Sequence, residues 1–333
     1  MAGSPPRFGG SPASASGWQG PSFAAASAAA GGELPAGSTL PIPFWVVDAF
    51  TEQAFSGNPA AVVLLPGGGE FPDGLWLSQV AREFAVSNTA FLSRRAAGDG
   101  FALRWLTPSG AEVALCGHAT LAAAHALWSS GAAPRESLLR FHTRAGLVHC
   151  AAQPPPGEPP GIALDLPAAE ANELPPGAPA AVLQALGPGA PLPIWVGRAP
   201  ELNDMLIVLE KPEAVRDLAP DLQALAAFGG RGVIVTSAAR DAGWAGGADY
   251  VARWFAPAVG IPEDAVTGSA HCALGPFWAE RLRKAELRAL QCSPRGGRIA
   301  LRVDPAAGRV LLLGDCITVF RGEIDALPGT MIS

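Results

Sequence analysis

Charge is scarce in this chain: Asp, Glu, Lys and Arg make up 16% of its 333 residues, and the net charge is −6. With no basic excess, composition argues against a surface for nucleic-acid phosphates or for an anionic membrane. Long hydrophobic runs are also missing. No stretch of about 18 apolar residues occurs, which excludes a spanning helix. Cysteine is sparse too. Cys116, Cys150, Cys272, Cys292 and Cys316 are odd in number, scattered and without C-x-x-C spacing. That usage points to reduced thiols and a cytoplasmic setting rather than a disulfide framework. What the chain does have is 49% apolar residues, enough at this length for one large core or two smaller ones.

Residues 1–40 stand apart. They carry Arg7 as their one basic residue, reach their first acid at Glu33, and are otherwise rich in Ala, Ser, Gly and Pro. Such a segment buries too little apolar surface to offset its ordering entropy, so a disordered extension is expected. A transit peptide to a plastid or mitochondrion is the second reading, Ser-rich and acid-poor but short of Arg.

Beyond the extension, one pattern is written twice. "ALRWLTPSGAEVALCGHAT" (Ala102–Thr120) is answered by "VARWFAPAVGIPEDAVTGSAH" (Val251–His271). Arg104-Trp105 and Pro108 recur as Arg253-Trp254 and Pro257 at one offset. After a short insertion, Leu115-Cys116-Gly117-His118-Ala119 falls on Val266-Thr267-Gly268-Ser269-Ala270, and Arg144 and Gly146 fall on Arg295 and Gly297. Upstream, "PFWVV" pairs with "PIWVG", "NPAAVVLL" from Asn58 with "NDMLIVLE" from Asn203, and Asn88 with Gly232. Six matches in one order indicate an internal duplication.

Periodicity gives the elements of the first half. β-rich runs at 45–50 and 60–65 flank the turn signal "SGNP", and helical spacing covers 75–84. Strands follow at 90–93 and 101–106, a helix opens after Cys116 and runs to about Trp128, and strands return at 138–142 and 147–151. Proline clusters at 154–160 and 175–193 mark connections. The expected fold is therefore α+β: two pseudo-symmetric lobes, each a curled, mostly antiparallel sheet around a central helix. The lobes are assigned to 41–167 and 194–333, joined by 168–193, with the final strands free to cross back to the first lobe. The helix after Cys116 is apolar nearly all round, as a helix wrapped by a sheet would be.

Two such lobes leave a cleft, the usual place for a small ligand. The matched loops Cys116-Gly117-His118 and Thr267-Gly268-Ser269 each begin a helix, whose free N–H groups favour an anion. Gly117 and Gly268 allow close backbone approach. Two facing cradles suit a small carboxylate.

These residues resemble the phenazine-biosynthesis PhzF-like isomerases, whose fold is that of diaminopimelate epimerase. The resemblance spans about 43–325 and is carried by "VVDAFTEQAFSGNPAAVVLL", "VSNTAFL", "RWLTPSGAEVALCGHATLAAA" and "IPEDAVTGSAH". It implies cofactor-free proton transfer on a small carboxylate between two lobes, and a homodimer. It makes His118 and Asp264 pocket residues for binding or proton transfer and Ser269 with Gly268 a carboxylate holder at the helix start, with Gly117 and Thr267 also around the substrate. Cys116 falls where the related epimerases keep the first of two thiols, and Thr267 replaces the second. Where the phenazine enzyme has its acid/base glutamate, this chain reads Ser87-Asn88-Thr89, and an amide does not shuttle protons near neutral pH.

Other readings remain open at this level. Cys116 is either a packed thiol or a reactive one lowered by the helix start and His118. Asp264 could serve only as a helix-start acid, and His118 only as a structural histidine. Cys116, His118, His271 and Cys272 are zinc-binding types, but Cys-x-His and adjacent His-Cys are not zinc-ligand spacings, so no metal is expected. The functional alternatives to an isomerase are a binding protein that keeps the cradle with Asn88 in place of the acid, and a Cys116 hydrolase or lyase.

Overall fold

The computed structural model describes residues 41–152, 161–175, 180–187, 189–227, 230–239, 242–325 and residue 328. The disorder expected for 1–40 and the connection expected at 154–160 lie outside the described residues.

The first half runs β1 (Ile42–Ala49), β2 (Asn58–Gly68), α1 (Gly74–Phe84), β3 (Asn88–Arg95), β4 (Phe101–Leu106), β5 (Glu112–Val113), α2 (Gly117–Ser129), β6 (Leu139–Thr143), β7 (Gly146–Ala151) and β8 (Ile162–Pro167). After β9 (Asn172–Glu173) and α3 (Ala180–Ala185) the order is repeated. It runs β10 (Trp195–Ala199), β11 (Asp204–Val208), α4 (Pro212–Arg216), α5 (Leu222–Ala226), β12 (Gly232–Ala238) and β13 (Tyr250–Ala256), then β14 (Ile261–Asp264) and α6 (Gly268–Leu282). The chain ends on β15 (Glu286–Gln291), β16 (Gly297–Asp304), β17 (Arg309–Gly314) and β18 (Cys316–Ile324).

Strand pairing repeats with the order. β1–β2 is antiparallel, β2–β3 parallel, β3–β4 antiparallel, β4–β6 parallel, and β6–β7–β8 antiparallel. β10–β11, β11–β12, β12–β13, β13–β15 and β15–β16–β17 have the same directions in turn. The last strand of each half crosses over: β9 pairs with β10, and β18 pairs with β1 along its length. β8 and β17 join the halves antiparallel. The described strands form one continuous sheet.

That sheet curls around a helix in each half. In α2 every residue from Gly117 to Trp128 except His125 is buried, against β1, β2, β3, β8 and β18. A helix with no polar face has nowhere else to go. α6 is enclosed in the same way by β15, β16 and β17. Pro276 lies inside α6 and cannot donate to the carbonyl one turn back. The released Cys272 carbonyl instead accepts the Ala169 N–H at 2.9 Å, tying the interlobe connection to the helix.

The upstream repeat alignment needs one correction. Asn203 is not the partner of Asn58. It sits in the turn with φ 56°, in the left-handed region that Asn tolerates; Asp204 opens β11 opposite Ala199 as Asn58 opens β2 opposite Ala49, while on the other side Asp204 lies beside Gly232 as Ala60 lies beside Asn88. The second turn is shorter than the first, which displaces the match by one residue.

Candidate active site

The two helix starts meet at the junction of the halves. A Cβ placed on Gly117 would lie 3.4 Å from Gly268 Cα, and one placed on Gly268 would lie 3.4 Å from Gly117 Cα. The backbones approach this closely because neither residue has a side chain. Neither helix is capped by a side chain: Cys116 and Thr267, at the two N-cap positions, make no capping hydrogen bond. The Ala270 N–H is taken by the Thr267 carbonyl at 3.1 Å and the Ala119 N–H acts on Cys116, so the N–H groups ahead of them and two helix dipoles converge on one place.

Around that place, residues of both halves form one network. Asn58 Nδ2 donates to Asp264 Oδ1 at 2.7 Å and to the Val266 carbonyl at 2.8 Å, and lies 3.2 Å from His118 Nδ1. The flipped amide would turn its oxygen toward two acceptors, so the network fixes the orientation. Thr267 Oγ1 donates to Asp264 Oδ2 at 2.7 Å. Gln291 braces the loop from behind. Its Oε1 accepts the Thr267 N–H at 2.8 Å, and its Nε2 donates to the Asp264 carbonyl at 2.9 Å and to Thr267 Oγ1 at 3.2 Å. Asp264 thus accepts at both carboxylate oxygens and is fixed in direction.

On the first-half side, Cys116 Sγ lies 3.4 Å from Asn88 Oδ1, 3.6 Å from His118 Nδ1 and 3.9 Å from Nε2. Asn88 opens β3 and is 6% exposed, and its Nδ2 has no hydrogen-bond partner. A buried amide donor left unpaired costs free energy, and here it borders the converging helix starts. On the second-half side, Ser269 Oγ accepts from Arg231 NH1 at 2.8 Å.

Burial sets the protonation states. Loss of solvent pulls the His118 pKa below its ordinary 6.5, with Asp264 opposing the shift, so the ring is neutral at pH 7. Burial pushes the Cys116 thiol far up, outweighing the Ala119 backbone N–H that favours its thiolate. The thiolate contemplated from sequence is therefore disfavoured: at this helix start desolvation, with Asp264 adding to it, exceeds the pull of the Ala119 N–H.

His118, Asp264, Cys116, Asn88, Gly117, Thr267, Gly268 and Ser269 all fall in this one region. Asn58, Gln291, Arg231 and Asp204 were not singled out by sequence. Asn58 had a signal, since it lies in the repeated segment directly after the turn glycine. Gln291 had none, because its role comes only from β15 lying beside β13. The zinc-type quartet does not converge: His271 Nδ1 pairs with the Tyr250 hydroxyl at 2.7 Å, and Cys272 Sγ turns back on the Gly268 carbonyl of its own helix.

A duplicated sheet wrapped around two helices whose starts face each other defines an epimerase-like fold. A hydroxyproline epimerase from Agrobacterium vitis shares it with a TM-score of 0.53 at 14% identity, over 88% of this chain and 95% of that one. Nearer relatives carry the same family description. A family model described as phenazine biosynthesis-like protein, PhzC-PhzF, matches residues 47–322. A PhzF-family crystal structure from Enterococcus faecalis has a TM-score of 0.74 and 34% identity, covering 86% of this chain and 99% of that one. An uncharacterized isomerase from Halalkalibacterium halodurans is 42% identical over 85% of this chain and 98% of its own length. The chain belongs to the PhzC/PhzF phenazine biosynthesis-like family, with relatives named isomerases.

Proposed function

We propose that the protein is an isomerase that moves a proton within a small carboxylate held between the two helix starts, without a cofactor. The observation that carries the reading is the Asn58 bridge, which sets His118 of one half and Asp264 of the other around one uncapped, glycine-lined junction. In this reading the neutral His118 ring takes a proton from the carbon next to the carboxylate. The C–H electron pair moves into the carboxylate, where the free N–H groups of α2 and α6 favour the added negative charge. In a substrate with a double bond one carbon further along, that pair is shared through the double bond and the proton returns from the imidazole to its far carbon, so the double bond shifts, the product is an isomer and nothing is consumed.

Asn88 orients substrate through its unpaired Nδ2, and Asp264 acts on His118 through Asn58. Cys116 stays a thiol and packs between Asn88 and His118. Thr267, with its hydroxyl committed to Asp264, does not supply a second thiol, which favours an isomerase over a two-thiol epimerase.

The competing reading is a binding protein with the same pocket, favoured by Asn88 at the acid position. Turnover of the native chain and the Asn88→Glu variant on one panel of small carboxylates separates the two. Comparable or greater turnover in the native chain supports the isomerase. Turnover confined to the Asn88→Glu variant would make the native chain a binder.

A further inference from the structure

In each half, the residue that opens the second strand reaches the second residue of the helix. Asn58, opening β2, touches His118 of α2 directly. Asp204, opening β11, reaches Ser269 of α6 through Arg231. Asp204 is fully buried. Its Oδ1 accepts from Arg231 Nε at 3.0 Å, its Oδ2 accepts from Arg231 NH2, and Trp254 Nε1 donates to Oδ2 at 3.2 Å. The guanidinium lies over the Trp254 ring, 5.0 Å from its centroid, so it is forked, stacked and fixed. Its remaining NH1 donates to Ser269 Oγ.

Arginine has no acceptor. The Arg231–Ser269 bond therefore uses a lone pair of Oγ and turns the hydroxyl hydrogen away from the guanidinium. Among the described residues that hydrogen has no acceptor, and Ser269 sits one residue past the Gly117–Gly268 contact. The matching position of the first half holds His118, a group that accepts or releases a proton. One wall of the cleft is thereby a donor wall beside a fixed cation, and the other is a proton-transfer wall.

We propose that Asp204 and Arg231 orient the substrate carboxylate through Ser269, the carboxylate holder that the family resemblance implies at the start of α6: the guanidinium occupies a lone pair of Oγ and turns the hydroxyl hydrogen toward the ligand. Arg231 is a positioning residue that acts through Ser269. The assignment deepens the proposed isomerase reading and rests on its ligand class, not on its chemistry.

The test uses binding rather than turnover. Small carboxylates from acetate to benzoate and trans-cinnamate, each with its matching carboxamide, are titrated by ligand-observed NMR against the full chain. The native protein should hold at least one carboxylate tenfold or more tighter than its amide. Arg231→Lys keeps the charge but cannot both fork Asp204 and reach Ser269, and it should erase that preference while amide binding is unchanged. Ser269→Ala should do the same, and the double variant should lose nothing further. Because Arg231→Gln strands a buried carboxylate, the neutral pair Arg231→Gln with Asp204→Asn serves as the second variant, with the same loss expected.

Equal affinity for acid and amide in the native chain, no binding of any probe, equal loss of both ligands in the variants, or additive losses would each overturn the assignment. A carboxylate preference that follows Arg231 and Ser269 in a chain that exchanges no protons would end the isomerase reading and leave this one standing.

Discussion

His118 and Cys116 sit side by side yet answer to burial in opposite senses: the imidazole is held neutral and the thiol is held protonated. Replacing His118 by Asn keeps a polar, similarly shaped group and removes the proton carrier, so turnover should fall about a hundredfold or more, measured as initial rates with the fold checked by circular dichroism. The pKa of His118 lies below 6.5, so its basic form persists as pH drops through that value. The rate should stay level there and fall only at lower pH, and a rate–pH profile whose acid limb is centred at or above 6.5 would contradict the assignment. Cys116 should react with iodoacetamide at pH 8 far more slowly in the native chain than after unfolding, read by mass spectrometry of the labelled peptide. At this scale the chain was largely legible, because the duplicated loops flag their own glycines and polar residues. The state of Cys116 was not legible. The helix start and its histidine are local and visible in the sequence, whereas the desolvation that raises the thiol comes from chain segments that the fold packs around it.

The elements place those residues through close approach. Gly117→Ala or Gly268→Ala would set a methyl group at ordinary contact distance, 3.4 Å from the facing Cα, in the space where the helix starts would meet a ligand. Probe binding should weaken while a denaturant titration moves little, and unchanged binding in both variants would contradict the shared cradle. Within α6, His271 is fully enclosed and burial holds its pKa at about 4 against an ordinary 6.5. The folded state therefore keeps the ring neutral while the unfolded chain takes up a proton. Stability from this group is intact above pH 6.5 and lost as pH falls toward 4, by roughly 3 kcal/mol in all. Urea titrations at pH 7.5 and 5 should show the drop, and His271→Phe should flatten it.

Strand and helix positions were readable from alternation and from turn signals. "FALRWL" at 101–106 is a strand over just those residues, and the helix expected to reach Trp128 ends at Ser129. The Asn58–Asn203 match was misplaced because alignment of short segments does not register the length of the intervening turn. Gln291 and Arg231 stayed hidden for the same reason: each acts on a residue more than twenty positions away, through pairing that periodicity does not encode.

Across the whole molecule the halves are not independent. β18 returns to β1, β9 reaches β10, and β8 pairs with β17. Arg295 adds a clamp, donating from NH2 to Asp48 Oδ1 at 2.8 Å and from Nε to the Gly57 carbonyl at 2.8 Å, so a second-half side chain holds the first-half turn. Calorimetry should give one cooperative transition, with the van't Hoff and calorimetric enthalpies agreeing. Two resolved transitions would mean that the lobes fold separately.

The cleft exists only because both halves are present, and the central claim is that it moves a proton on a carboxylate. The direct measurement is deuterium incorporation from heavy water into a panel of small carboxylates, followed by proton NMR with the native chain and with His118→Asn. The account predicts deuterium at the carbon that receives the proton in at least one compound with the native chain, and none above background in the variant. Exchange that survives in His118→Asn, or none with any compound in the native chain, would contradict it.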